Sequence, residues 1–293
     1  MSEDDQQHLV RARELAKLFG PLHNVSYYAP EIREFTKTGV QGWWNGYFVY
    51  RAAPMGPVPA EVVVAAFYNF APRMIAKSLP ANWQVVSPTQ ALDLRLELVD
   101  RALRRMLGER RGTAELREAA TLARRAIEPC DGVGRVLYSA YAGLTWPDEP
   151  HLALWHACTL LREHRGDNHN IALAAADIDG VECHVLMAGM GHGNRASILP
   201  IRGWTDEEWS AAVGRLGERG WTLPDGTLTG AGQATRRAIE EHTNRLSAGP
   251  SRNLGTEGAD RLISLLEPIV KVLHEQGGVP TQWPPPHLMR PQG

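Results

Sequence analysis

Cysteine is scarce in this chain, three in 293 residues. Cys130, Cys158 and Cys183 are odd in number, widely spaced and without a CxxC pair, which argues against a disulfide framework and a cysteine-rich zinc site. Long hydrophobic runs are lacking too, and none reaches the roughly 18 apolar residues that a bilayer-spanning helix needs. A basic start is also missing: MSEDDQQH is acidic, unlike the first region of a secretory signal. These absences point to a cytoplasmic protein with no membrane partner. Nor is there a surplus of positive charge, since 31 Lys and Arg stand against 33 Asp and Glu, a formal net charge of -2. The whole molecule therefore lacks the electrostatic footprint of a chain that wraps nucleic acid, although a local basic patch stays open. With 43% hydrophobic and 22% charged residues, wholesale disorder is excluded, and the length suits one large domain or two ordinary ones.

What is present is mostly helical periodicity. HLVRARELAKLFG sets Leu9, Ala12, Leu15 and Leu18 at spacing three, with Gly20 as a stop. From 43 to 79 the chain is strongly apolar and broken at Pro54, Pro57, Pro59 and Pro72. Two buried helices joined by a Pro/Gly elbow fit this stretch, with Trp43, Trp44, Phe48, Phe67 and Phe70 in the core. Ser87, Pro88 and Gln90 form a capping box that opens a helix striped by Leu92, Leu96, Val99, Leu103 and Met106. SYYAP at 26–30 loosely echoes SAYAG at 139–143, and Gly56 and Gly166 each head a loop into an apolar helix, so an internal duplication stays open. The tail from 283, WPPPHLMRPQG, is proline-rich and expected to be extended. The expected organisation is an N-terminal helical lobe over 1–110, a winged-helix-like lobe over 111–250, and a C-terminal helix with the proline-rich tail over 251–293.

Residues 204–246 carry the clearest local pattern. Thr205 and Glu208 make a second capping box, Trp209, Val213 and Leu216 stripe the helix that follows, WTLPDGTLT reads as two short strands around a Pro-Asp-Gly turn, and GQATRRAIEEHTNRL resumes helical spacing. RLGERGW followed by DGTLTGAGQATRRAIEEHTNRL resembles the recognition-helix end, wing and next helix of MarR-type regulators. That resemblance implies a DNA-reading helix in a symmetric dimer. The residues at the contact positions read differently: Asp206, Glu207 and Glu208 would meet phosphate with like charge, and the wing tip has no Arg or Lys. On that reasoning DNA is an unlikely partner and the winged helix is a scaffold or interface. Over its whole length the chain is also similar to an actinobacterial family of unassigned function, through LHNVSYYAPE, GYFVYRAAPMGPV and LLREHRGDNHN, and heavy Ala and Arg usage agrees with such a source.

One stretch concentrates ionisable groups. LLREHRGDNHN, residues 160–170, packs Arg162, Glu163, His164, Arg165, Asp167 and His169 at the end of an apolar helix, with Gly166 as a stop and Asp167 capping a further helix from about Asn170. Capping and dipole compensation account for part of this content. Apolar flanks also favour burial, and a buried charge must be paired, which orients it and shifts its pKa. Glu163, His164 and His169 are thus the candidate catalytic acid/base groups, and Arg162, Arg165 and Asp167 candidate ligand contacts. His164 and His169 are five apart, wrong for a HExxH face, so no metal site is assigned even with His23 or His184 as further donors. Arg51 sits in an apolar run and needs a counter-ion, for which Glu163 or Asp167 are candidates. His23, Tyr27, Tyr28 and Tyr47 would wall the same site. GMGHG at 189–193 lacks GxGxxG and P-loop spacing, so it is weak support for a nucleotide and the cofactor stays unknown.

The expectations are a mainly α fold of two winged-helix-like lobes with small β-hairpin wings, binding or converting a small organic molecule in a polar-floored cleft between lobes. The alternatives are a MarR-type DNA-binding transcriptional regulator, homodimeric on that reading, and an acid/base or metal-dependent hydrolase.

Overall fold

The structure, a computed structural model, describes residues 2–280; the proline-rich stretch from 283 lies outside the described residues. Thirteen α-helices follow one another among these residues: α1 (Glu3–Tyr28), α2 (Trp43–Ala52), α3 (Ala60–Phe67), α4 (Pro72–Ser78), α5 (Pro88–Leu107), α6 (Ala114–Ile127), α7 (Val136–Ala142), α8 (Pro150–Ala175), α9 (Glu182–Gly189), α10 (Arg195–Arg202), α11 (Asp206–Glu218), α12 (Gly230–Leu246) and α13 (Gly249–Glu275). No helix is long and apolar enough to cross a membrane among the described residues. The mainly α expectation holds. One antiparallel bridge, Thr222 to Leu228, is the only β pairing among the described residues, so the hairpin wings of two winged-helix-like lobes are not confirmed. The segment is too short for a ladder: Pro224, Asp225 and Gly226 occupy its middle, and α12 begins at Gly230.

The chain divides into two compact units, each discontinuous in sequence. Among the described residues the first comprises 2–57, 82–168 and 244–280, and the second 58–81 and 169–243. These boundaries differ from the contiguous segments 1–110, 111–250 and 251–293, because helices far apart in sequence share one core. In the first unit α1 lies along α13, with Arg11 bidentate on Asp260 at 2.8 and 2.7 Å and His8 Nδ1 3.0 Å from Ser251 Oγ.

Two helices run on where a stop was expected. α1 continues through Gly20 and Pro21 because Leu22 and Val25 extend the buried stripe of Leu9, Ala12, Leu15 and Phe19. Burying those side chains outweighs the one backbone bond that proline forfeits, as each brings about 1.5–3 kcal/mol. The apolar run from 43 to 79 gives three α-helices rather than two, α2, α3 and α4, with the Pro/Gly elbow falling at the boundary between the units. Phe48, Phe67 and Phe70 are core, whereas Trp43 and Trp44 are only half-buried. α8 passes straight through Gly166, so neither a C-terminal stop nor a loop exists there. A β-carbon at 166 would stand 3.2 Å from Arg162 Nη1 and 3.6 Å from Glu163 Oε2, so the missing side chain leaves room for an ion pair. The capping boxes at Ser87–Gln90 and Thr205–Glu208 are both formed as expected.

Candidate functional site

The first unit buries an unusual number of charges around α8. Thr159, Glu163 and Asp167 recur every four residues on one helix face, and all three are inaccessible or nearly so. Glu163, with no exposed surface, accepts from Arg51 Nε at 3.1 Å and Arg51 Nη2 at 3.0 Å, a two-point guanidinium–carboxylate match, and from Arg162 Nη1 at 2.6 Å. Arg51 therefore meets one of its two candidate counter-ions. Tyr47 Oη accepts from Arg51 Nη1 at 3.2 Å, and the Tyr27 and Tyr47 rings lie 4.8 Å apart. His23 rests with Nε2 3.9 Å from Glu163 and Nδ1 3.3 Å from Thr159 Oγ1. His23, Tyr27, Tyr47, Arg51, Arg162 and Glu163 thus converge within one unit.

The remaining candidates lie elsewhere. Tyr28 stacks on Trp43 at 5.7 Å. Asp167 accepts the Tyr138 amide at 2.9 Å, anchoring the start of α7 rather than capping a helix of its own. His164 packs edge-on against Tyr138 at 5.1 Å, with Nδ1 3.4 Å from Asn168 Nδ2, and takes no orienting contact from Glu163. Arg165 lines a small internal cavity together with His164 and Phe19. His169 belongs to the second unit, where Nδ1 meets Thr243 Oγ1 at 2.9 Å. The side chains of Glu163, His164 and His169 accordingly do not converge: consecutive and five-apart positions on a continuous helix project in different directions. No cluster of three or more His, Cys, Asp or Glu able to hold a metal ion occurs among the described residues.

Several members of the network were invisible to spacing arguments. Arg95, 3% exposed, donates from Nη1 to Tyr141 Oη at 2.6 Å and to the Tyr50 carbonyl at 3.2 Å. Its signal was position: α5 buries Ala91, Leu98, Val99 and Ala102, and Arg95 falls on that face. Asn168, which ties Arg135 Nε at 2.8 Å to Ser247 Oγ at 3.1 Å, had no signal beyond its place in the charged stretch.

Burial sets the electrostatics. Desolvation opposes the Glu163 carboxylate, but the Arg162 and Arg51 guanidiniums overcome it and hold its pKa well below the usual range. Desolvation pushes Asp167 up to about 7, against the Tyr138 amide bond and with the nearby Glu163 charge adding to the rise. Burial lowers His164 to about 4 with help from Arg135, and depresses His23 strongly. Neutral imidazoles, one ionised glutamate and one readily protonated aspartate fill this core.

The second unit holds a different arrangement. α10 ends at Gly203, whose φ of 75° supplies the left-handed cap that a β-carbon disfavours. Only Gly203, Trp204 and Thr205 intervene before α11, a tight turn of the helix-turn-helix kind. Trp209, Ala212, Val213 and Leu216 of α11 are buried against Ile198, Val185, Leu186 and Ile239. After α11, Leu223 N donates to the Thr227 carbonyl at 2.8 Å and Thr229 N to that of Trp221 at 3.0 Å, which closes a short loop before α12. Arg73 staples the turn, bonding the Gly203 carbonyl with Nη2 and reaching Glu208 with Nη1 and Nη2 at 2.7 Å each. Arg195 Nε reaches Asp206 Oδ1 at 2.7 Å.

A helix joined by a three-residue glycine turn to a second helix, with a closed loop behind it, defines the helix-turn-helix class of local architecture. A family model described as a helix-turn-helix family matches residues 12–280, and the chain belongs to that family. No curated protein and no solved structure matches the chain.

Membership overturns the expectation that DNA is an unlikely partner. That expectation counted the carboxylates of Asp206, Glu207 and Glu208 without their partners. Arg195 and Arg73 neutralise Asp206 and Glu208, and Arg73 comes from 130 residues before Gly203, beyond the reach of any local reading. The helix start is far less negative than its sequence suggests.

Proposed function

We propose that the chain is a DNA-binding transcriptional regulator in which α10, the Gly203 turn and α11 form the helix-turn-helix and α11 enters the major groove. The single observation that carries this reading is membership of a helix-turn-helix family across residues 12–280. The MarR-type likeness of 204–246 supports it and adds a symmetric dimer reading two half-sites about one helical turn apart. Selection of bound duplexes from a random pool, followed by anisotropy on the enriched sequence, tests it. The expected outcome is one recurring motif bound with a shallow salt dependence, because few arginines near α11 are unpaired; a log–log slope of about -3 corresponds to three or four neutralised phosphates. Failure to enrich any motif, with no binding even at about 50 mM salt, would end the proposal.

Arg73→Ala separates positioning from folding. Exposed ion pairs contribute about 0–1 kcal/mol, so melting should change little. Freeing the turn carbonyl and Glu208 should weaken motif binding about tenfold or more while leaving non-specific binding nearly untouched. Equal loss for both kinds of DNA would assign Arg73 a purely electrostatic role.

A second reading, a small organic ligand held by the first unit, is favoured by one observation: the Tyr27 hydroxyl, on a residue 5% exposed, has no hydrogen-bond partner among the described residues although it adjoins His23 and Tyr47. Native mass spectrometry of protein from its host should then show a retained mass that Tyr27→Phe loses. Bare protein in both samples removes this reading.

A further inference from the structure

We propose that the second unit carries a binding site for an organic anion with an apolar body, in the cleft between the end of α9 and α12. The cleft measures about 650 Å³, the scale of sites that hold small organic ligands. Met187 and Met190 line one side, Arg236, Arg237 and Glu240 the other, and His192 stands in the glycine-flanked loop between. All belong to the second unit.

Its chemistry follows from what each wall leaves unmet. Thioether side chains are soft and adaptable, and the two methionines are half-buried, so an apolar ligand body gains by covering them. Arg236, 14% exposed, is held by Glu240 at 3.1 Å, which neutralises both and fixes the guanidinium in place. Arg237, one residue on, is exposed and has no carboxylate partner among the described residues. The cleft therefore presents one uncompensated guanidinium beside an apolar surface. Inorganic phosphate would satisfy the charge and leave the methionines wet; a neutral hydrocarbon would cover them and desolvate an unpaired cation. A carboxylate or phosphate ester on an aromatic or alkyl body meets both demands. The site stands on its own residues and does not depend on DNA binding.

Titration calorimetry on the full chain tests it with 2-naphthoate, 2-naphthamide and inorganic phosphate, none requiring DNA. Naphthoate should bind saturably with a Kd on the order of 100 µM, about tenfold or more tighter than the amide or phosphate. Arg237→Ala should erase the preference of naphthoate over its amide, and Arg237→Lys should restore part of it. Met190→Trp, which fills the apolar side, should weaken both aromatic probes together. Thermal melts confirm that each variant is folded. Equal affinity for naphthoate and naphthamide, an affinity unmoved by Arg237→Ala, or no saturable binding of naphthoate would each overturn the proposal.

Discussion

Glu163→Gln is expected to lower the stability of the first unit by about 3–5 kcal/mol, the typical cost of removing one partner from a buried ion pair. Glu163 has no exposed surface and Arg51 is 6% exposed, so the guanidinium left behind cannot recover its hydration. Arg162, whose side chain is 33% exposed, can turn to solvent and does not share the penalty equally. The pair itself contributes less than its rupture costs, because desolvating two ions consumes most of their attraction. Arg51→Met combined with Glu163→Gln should therefore be considerably more stable than Glu163→Gln alone. Urea unfolding of the wild type, both single variants and the double variant measures the coupling. A Glu163→Gln protein within about 0.5 kcal/mol of wild type would mean that water reaches this pair freely.

Acidification should destabilise the protein through its buried histidines. Burial holds His164 and His156 at about 4 and His184 at about 3, all below the ordinary value of 6.5. An imidazole depressed in the folded state binds protons preferentially in the unfolded chain. Its stabilisation is complete above about pH 6.5 and drains away as pH falls toward about 4. Each such histidine gives up on the order of 2–3 kcal/mol over that window. Asp167 works in the opposite direction. Its folded pKa of about 7 exceeds its ordinary 3.8, so it favours the folded state below 3.8 and costs stability progressively as pH rises to 7. Three imidazoles outweigh one carboxyl, so stability is expected to rise out of the acid range and level off at about pH 7–8, where both kinds of titration are nearly complete. Asp167→Asn keeps an acceptor for the Tyr138 amide and removes the carboxylate, so its advantage over wild type should grow between pH 5 and 8. Stability that stays flat from pH 6.5 to 4.5 would contradict the burial of these imidazoles.

Much of the local architecture was legible because it is written in neighbouring residues. Ser87 with Gln90 and Thr205 with Glu208 announced their helices through groups three positions apart, and the stripe of Trp209, Val213 and Leu216 named the buried face of α11. Arg51 was legible for another reason: a guanidinium inside an apolar run demands a partner. What failed was whatever a distant segment decides. Gly166 looks like a helix stop, yet it is a space beside Arg162 and Glu163, and local sequence cannot distinguish the two uses of glycine. Leu92 and Leu96 looked like core, but packing against the rest of the first unit rotates α5 so that Ala91, Arg95 and Leu98 are buried instead. Charge at the start of α11 was misjudged through the same blindness, since Arg73 lies on another helix. His164 and His169 were grouped by proximity in sequence, and helix geometry sends them to Asn168 and Thr243.

The pairing of α1 with α13 has a consequence for synthesis. Arg11 and Asp260 are separated by 249 positions, so α1 cannot pair with α13 until that whole stretch of chain has been translated. All segments of the second unit up to Thr243 have by then been translated. A nascent protein stalled before residue 249 lacks α13 and so leaves the face of α1 that α13 covers open to chaperones or to aggregation.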